Sequence, residues 1–198
     1  LQFKQPYIEV KIDPYEDMLR KLRQKKKSDS NFGVNLRVNA TQDVEAFIEI
    51  DKASGNVLSG KGNGLINLEV GTDVFSIKGD YRLSSGKYKF SAMNLVNRDF
   101  LIQDGSTINF TGDIMDSRLD IDAIYRTKAS LSTLISDTSS VSNRRNVECG
   151  IKISDKISSP KISFSINVPD LDPTVKSRVE SALSTEDKVQ KQFLSLMI

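Results

Sequence analysis

The sequence contains no histidine and no tryptophan, and its 198 residues include a single cysteine, Cys149. Without histidine the chain lacks the most common general base, the most common metal ligand and the side chain that changes charge near neutral pH. One cysteine forms neither an intramolecular disulfide nor a thiolate metal cage. We therefore expect a protein that is not an enzyme, with no catalytic residues, no cofactor and no metal site.

Long apolar runs are also missing. No stretch approaches the ~18 consecutive apolar residues that a membrane-spanning helix requires, and no signal peptide is recognisable. The 28 basic and 26 acidic residues leave a net charge of +2, so no overall field attracts nucleic acid. The chain begins at Leu1 and ends in the apolar run Phe193–Ile198, and we expect it to be a segment of a longer protein.

Apolar and polar residues alternate almost throughout residues 32–168, as in Val34–Val38, Leu119–Tyr125 and Val147–Ile153. Successive side chains of a strand point to opposite faces, so this period predicts about ten β-strands, each with one apolar and one polar face. Short turns between neighbouring strands favour an antiparallel meander. The fold class predicted from the sequence is therefore all-β and mainly antiparallel.

Three segments depart from the period of two and predict short helices, at residues 13–27, 129–136 and 172–197. The first has Asp13 in an N-cap position followed by Pro14, and a short strand over residues 7–12 precedes it. The helices after Pro173 are placed to plug one end of the sheet. These patterns divide the chain into an N-terminal strand, basic helix and linker (residues 1–31), a β domain (residues 32–170) and a C-terminal helical segment (residues 171–198).

Several local features invite a functional interpretation but have simpler ones. The basic run Arg20–Lys27 fits a solvated linker, or alternatively a contact with anionic lipid headgroups at about 1 kcal/mol per charge. The Gly60–Gly62 segment lacks the lysine-serine pair and the following helix of a phosphate-binding loop. Cys149 is in phase with Val147 and Ile151, which predicts a buried structural thiol.

Four nearby carboxylates raise the question of a metal site. Their spacing fits no helix-loop-helix calcium loop, and two of them occupy the polar side of a predicted strand, so we interpret them as part of a solvated face. The four residues are Asp113, Asp116, Asp120 and Asp122.

The apolar face of the predicted sheet has two possible fates. Two such faces can close on each other in a β-sandwich or barrel, and periodicity alone favours this arrangement. Alternatively, one sheet curls into an open trough whose apolar face receives a ligand. The scarcity of helical residues in the middle of the chain supports the trough, and the sequence leaves both possibilities open.

A series of short motifs, in a fixed order and spacing between Phe32 and the C-terminus, resembles a known family. They are Gly79-Asp80-Tyr81, Gly86-Lys87-Tyr88-Lys89-Phe90, Phe100 with Ile102, Gly105-Ser106-Thr107-Ile108, Gly112-Asp113, Leu119-Asp120-Ile121 with Ala123 and Tyr125, Arg145 with Val147 and Cys149, Pro160 with Ile162 and Phe164, and Gln192-Phe193-Leu194-Ser195-Leu196. This pattern resembles the C-terminal domain of TamB proteins, particularly those of Bacteroidetes-type bacteria. The family usually has proline after Gly-Asp, where this chain has Ile114.

The resemblance implies a fold, a place and a set of partners. TamB proteins are inner-membrane subunits of the translocation and assembly module and belong to the AsmA-like lipid-transfer superfamily. They are anchored by an N-terminal helix, extend across the periplasm of Gram-negative bacteria and meet an outer-membrane barrel of the Omp85 type. By resemblance we expect a β-taco-like trough that carries phospholipid to the outer membrane and supports outer-membrane biogenesis and protein secretion. The anchoring helix would lie outside this sequence.

An acyl chain requires a long apolar surface. Burial of each CH₂ contributes ~0.8 kcal/mol, so a 16-carbon chain needs roughly 12 kcal/mol of replacement contact. Ten strands spaced ~4.8 Å apart give a trough on the order of 48 Å long. The residues expected to line this lipid groove share one phase of the strands: Val44, Ile48, Ile50, Ile66, Leu68, Phe75, Ile77, Tyr88, Phe90, Ile102, Ile108, Phe110, Leu119, Ile121, Tyr125, Val147, Ile151, Ile153, Ile162, Phe164 and Ile166.

A second interpretation is a protein-interaction module. An exposed last strand would pair with an Omp85-type barrel, or with nascent outer-membrane protein strands, by β-augmentation.

The trough itself carries one further expectation. Ile121, Ile151, Phe164 and Ile166 should face the same way as Phe90 and Phe110. If the trough is open to water there, aspartate at position 121 or 151 stays partly hydrated and the fold survives.

Overall fold

The computed structural model describes residues 33–51, 54–92, 96–135 and 144–198, together with the backbone of residues 8–10. These residues form nine strands, two single-turn 3₁₀ helices (Ile114–Asp116 and Leu131–Thr133) and two α-helices. The strands are β1 (Ile8–Val10), β2 (Val34–Asp51), β3 (Asn56–Val70), β4 (Phe75–Ala92), β5 (Val96–Ile102), β6 (Thr107–Gly112), β7 (Arg118–Ser130), β8 (Arg144–Lys156) and β9 (Lys161–Asn167), and the helices are α1 (Pro173–Ala182) and α2 (Glu186–Met197).

All nine described strands belong to one sheet. Eight of them follow the order β1-β2-β3-β4-β5-β7-β8-β9, and β6 pairs with β4 and β7. Only the β1–β2 pair is parallel among the described strands. The first half of β4 pairs with β6 and the second half with β5, so β5 and β6 share one position in the sheet. The predicted meander of ten strands side by side is therefore wrong in one respect. Eight strand positions at ~4.8 Å give a path on the order of 38 Å rather than 48 Å.

The register places the in-phase apolar residues on one face. Ile121 lies opposite Ile153, Ile151 opposite Phe164, and Cys149 opposite Ile166. The expected common orientation of these strands is confirmed, and the mainly antiparallel all-β fold class with it.

The sheet is strongly curved. Phe90 on β4 and Phe164 on β9 are four strand spacings apart, which is ~19 Å in a flat sheet. Their ring centroids are nevertheless only 5.8 Å apart. Both rings lie on the apolar face, so β4 and β9 approach each other across a concave interior. The architecture is a trough rolled from one sheet, as the resemblance implied, rather than two sheets packed face to face.

Glycines permit the tight packing of β3 against β4. A Cβ atom on Gly62 would collide with the carbonyl oxygen of Arg82, and one on Gly64 with that of Asp80. Gly79 on β4 adopts φ 134°, a conformation that side chains rarely allow. The concave face of β3 therefore has no side chains along part of its length, and Tyr81 of β4 lies opposite Gly64.

The C-terminal helices agree with the predicted helical segment 172–197. Asp172 caps α1 by accepting a hydrogen bond from the amide of Val175 at 3.1 Å, and Pro173 occupies the first turn. Thr185 caps α2 in the same way. The predicted helix at 129–136 is reduced to the 3₁₀ turn Leu131–Thr133. β1 lies within the predicted strand 7–12, whereas the predicted helix 13–27, its basic run and the division at residue 31 fall outside the described residues.

The close approach at β3 predicts a steric effect on stability. We expect Gly64→Ala to lower the free energy of unfolding by more than about 2 kcal/mol, because the methyl group meets backbone rather than a movable side chain. Gly33→Ala is the matched control, since no atom lies within 4 Å of its added Cβ. Urea denaturation followed by far-UV circular dichroism measures both changes. Equal stability of the two variants would contradict the packing described here.

Candidate functional site: a one-sided apolar trough

The concave face gathers the predicted groove residues into one surface. Most are buried, namely Ile48, Ile66, Ile77, Tyr88, Phe90, Ile102, Ile108, Phe110, Leu119, Ile121, Val147, Ile151 and Ile153. A second group is half-buried against them, namely Val44, Ile50, Leu68, Tyr125, Phe164 and Ile166. Phe75 and Ile162 are exposed. The face is continuous from β2 to β9, but its exposure differs sharply from one end to the other.

Helix α2 covers the half of the trough that contains the end of β4. The ring of Phe193 lies 4.5 Å from Phe164, 5.8 Å from Phe100 and 6.0 Å from Phe90, measured between centroids. Phe193 and Met197 are fully buried there. The expectation that C-terminal helices plug part of the sheet is thus met by specific aromatic contacts, although only one of the two side chains that fill the trough belonged to the motifs quoted from the sequence.

At the opposite end of the trough, the described residues leave apolar side chains exposed. We call it the open end and define it by the start of β2, the end of β3 and the start of β4. There the exposed fractions of Leu36, Val70 and Phe75 are 49%, 40% and 41%. Val34 and Leu68 beside them are half-buried. A depression of about 380 Å³ adjoins this end, lined by residues 33–35 and 69–74.

The list of groove residues drawn from the sequence omitted part of the open end. Val34, Leu36 and Val70 were not included, although each has the phase of the residues that were. Val34 and Val70 pair directly, and Val70 pairs with Phe75. The missing signal was the register between β2, β3 and β4, which shows that these residues form one patch.

Few polar groups enter the apolar interior. The hydroxyl of Tyr81 donates to the carbonyl oxygen of Val44 at 2.7 Å, next to the irregularity in β2 between Ala40 and Val44. Burial raises the pKa of Tyr81, which keeps the hydroxyl protonated as a donor. Tyr88 is also buried, and its hydroxyl has no hydrogen-bond partner among the described residues.

Cys149 is fully buried on the inner face of β8, as its phase predicted. Burial raises the pKa of its thiol to about 12. The thiol therefore stays protonated at neutral pH and behaves as a small apolar side chain.

The convex face is polar and carries the acidic residues considered as metal ligands. Lys152 pairs with Asp120 at 2.8 Å and with Asp122 at 3.3 Å, and these carboxylates raise the lysine's pKa. Asp116 pairs with Lys156. Asp113 caps the 3₁₀ turn at Ile114–Asp116 by accepting a hydrogen bond from the amide of Met115. Within the described ranges, no group of three or more His, Cys, Asp or Glu side chains is arranged to hold a metal.

The burial of Ile121 and Ile151 bears on the two possibilities that the sequence left open, and at these two positions it favours a closed interior. Their exposed fractions are 0% and 1%, so an aspartate at either position would not remain hydrated. The rolled sheet encloses these two side chains, whereas at the open end Leu36, Val70 and Phe75 remain exposed.

These features define a class of protein, namely a curved β-sheet scaffold whose single apolar face is continuous, partly plugged and open at one end. Within that class the family is clear. The family described as the TamB C-terminal domain matches residues 6–198, and the chain belongs to it. The match begins well before Phe32, where the resemblance seen in the sequence began. It associates the chain with the translocation and assembly module of the bacterial envelope, in a family of assembly and transport proteins.

No curated protein matches the chain significantly. In the part of the chain described by the structure, no helix has the length and apolar character needed to cross a bilayer.

The dry interior predicts the effect of a buried charge. We expect Ile121→Asp to destabilise the fold by several kcal/mol, because its carboxylate would have neither water nor a partner. Ile124→Asp is the matched control on the same strand, since Ile124 lies on the convex face and is half-buried. Thermal melting compares the variants. A cooperative melt of Ile121→Asp near the wild-type temperature would show that water reaches this part of the trough.

Proposed function

We propose that this domain carries phospholipid acyl chains along its apolar trough, as a segment of a bridge across the periplasm from the inner to the outer membrane. The full-length protein would be anchored in the inner membrane by an N-terminal helix and would meet an Omp85-type barrel at the outer membrane. The observation that carries the proposal is the continuous concave apolar face with its exposed patch at the open end. The headgroup would remain in water while the acyl chains lie on the strands.

The position and apolar character of the patch support this ligand. Leu36, Val70 and Phe75 project into water from three adjacent strands, and Leu68 continues the same surface inwards. Contiguous exposed apolar surface of this kind marks a binding site. Burial of hydrocarbon there needs no specific hydrogen bonds, because the interaction is proportional to the apolar area removed from water.

A second candidate function rests on the edge of the sheet. Among the described strands, β9 pairs only with β8, so its other edge is available to a strand of an Omp85-type barrel or of a nascent outer-membrane protein. The two proposed functions predict different molecules bound to the purified protein. Mass spectrometry that detects co-purified phospholipid supports the trough, whereas binding of barrel-strand peptides by lipid-free protein supports the edge.

A charge at the open end tests the lipid proposal directly. We expect Phe75→Asp to reduce co-purified phospholipid per protein several-fold while the melting temperature changes little, because Phe75 is already 41% exposed. The acidic side chain would place a charge in the path of the acyl chain. The measurement is quantitative lipid mass spectrometry of the purified chain.

The matched control is Leu101→Asp. Leu101 is 50% exposed on the convex face, since it pairs with Lys87 while its neighbour Phe100 pairs with Tyr88 inside the trough. We expect this variant to retain its lipid. An undiminished lipid content in Phe75→Asp, or an equal loss in both variants, would contradict a lipid path through the open end.

A further inference from the structure

The contact between α2 and the described part of the sheet is almost wholly apolar. Two side chains of the helix, Phe193 and Met197, are fully buried. The ring of Phe193 contacts three aromatic rings of the sheet. Among the described residues, the hydrogen bonds of α2 side chains and its cap stay within the connection to α1. Lys188 donates to Ser184, and Thr185 accepts from the amide of Lys188. Between α2 and the described strands, therefore, the contacts are apolar and none is a hydrogen bond.

Phe193 occupies the inner face that the proposed function assigns to acyl chains. Its aromatic neighbours come from strands on both sides of the trough, Phe90 on β4 and Phe164 on β9. Without the helix these rings would face an apolar interior space. A hydrocarbon chain makes the same non-directional contacts as Phe193 and Met197, so the two occupants are chemically interchangeable.

The apolar surface that a long acyl chain can bury exceeds the surface buried by the side chains of α2, and this difference favours replacement of the helix by lipid. Leu194 and Leu196 of α2 are half-buried beside Phe193 and Met197. Even full burial of all four side chains would correspond to roughly eight to fifteen buried methylene groups on the transfer scale. An acyl chain of 16 or 18 carbons exceeds that amount. Thr185 caps the N-terminus of α2 by accepting a hydrogen bond from the amide of Lys188, so the helix keeps its cap when it leaves the sheet.

We infer that the space filled by Phe193 and Met197 is an acyl-chain site, and that α2 is its displaceable occupant. This inference rests on the proposed function and extends it. Lipid that enters at the open end reaches the covered half of the trough only by displacing α2. The helix closes the interior to water when no lipid is present and yields when a long chain arrives.

Hydrogen exchange on the unmodified, delipidated chain tests the inference, with sub-micellar oleate as the probe and butyrate as the control. A helix of 12 residues is marginal in water, so we expect amides of α2 to exchange several-fold faster with oleate. Amides of β9 should keep their protection, and butyrate, which is too short to replace both side chains, should have no effect. Unchanged or slower exchange in α2 while oleate binds would overturn the inference and leave the proposed function intact. A failure of oleate to bind at all would overturn both.

A fluorescent variant gives a second, independent readout because the chain has no tryptophan. We expect the emission of Phe193→Trp to shift to the red and to become accessible to acrylamide when oleate is added. Phe47→Trp, on the convex face of β2, is the control that should not respond. Quenching of the indole at position 193 by brominated fatty acid, without exposure to acrylamide, would show that helix and lipid occupy the trough together and would overturn displacement. If this variant does not fold, the exchange experiment on the unmodified chain decides.

Discussion

The whole structure depends on one constraint, which is that a sheet with a single apolar face must cover that face or leave it in water. In a sandwich a second sheet supplies the cover. Here the sheet rolls until Phe90 and Phe164 come within 5.8 Å, and α2 inserts Phe193 between the strands. The cover is incomplete, because the first residues of β2 and β4 and the last of β3 extend beyond it.

Curvature on this scale has its own requirements in the sequence. Gly62 and Gly64 remove side chains where β3 and β4 approach most closely. The side chain of Tyr81 on β4 extends over β3, and its hydroxyl donates a hydrogen bond to the carbonyl oxygen of Val44 on β2. The hydrogen bond passes over β3 at these glycines, and a side chain at Gly64 would collide with the backbone of β4. The same curvature concentrates apolar side chains in the interior and leaves charged pairs such as Lys152–Asp120 outside.

Much of the fold was predictable because strand periodicity is a local property. The phase of Ile121 and Ile151 identified the inner face correctly, and Asp172-Pro173 marked the start of α1. What covers that face was not predictable, because it depends on contacts between distant residues. Phe193 meets Phe90 and Phe164 only in the folded chain, so the sequence left open whether the apolar face is covered. Likewise Leu36 and Val70 join Phe75 only through strand register, which alternation within one strand does not specify.

The central claim is that acyl chains lie on the concave face at the open end. Site-specific photo-crosslinking to phospholipid tests it most directly, with a benzophenone side chain placed at Leu36 on the concave face or at Leu65 on the convex face. Both residues are about half exposed, at 49% and 50%, so access to the reagent is matched. The account predicts lipid adducts at Leu36 and few at Leu65. Equal labelling at the two positions, or labelling at Leu65 alone, would contradict it.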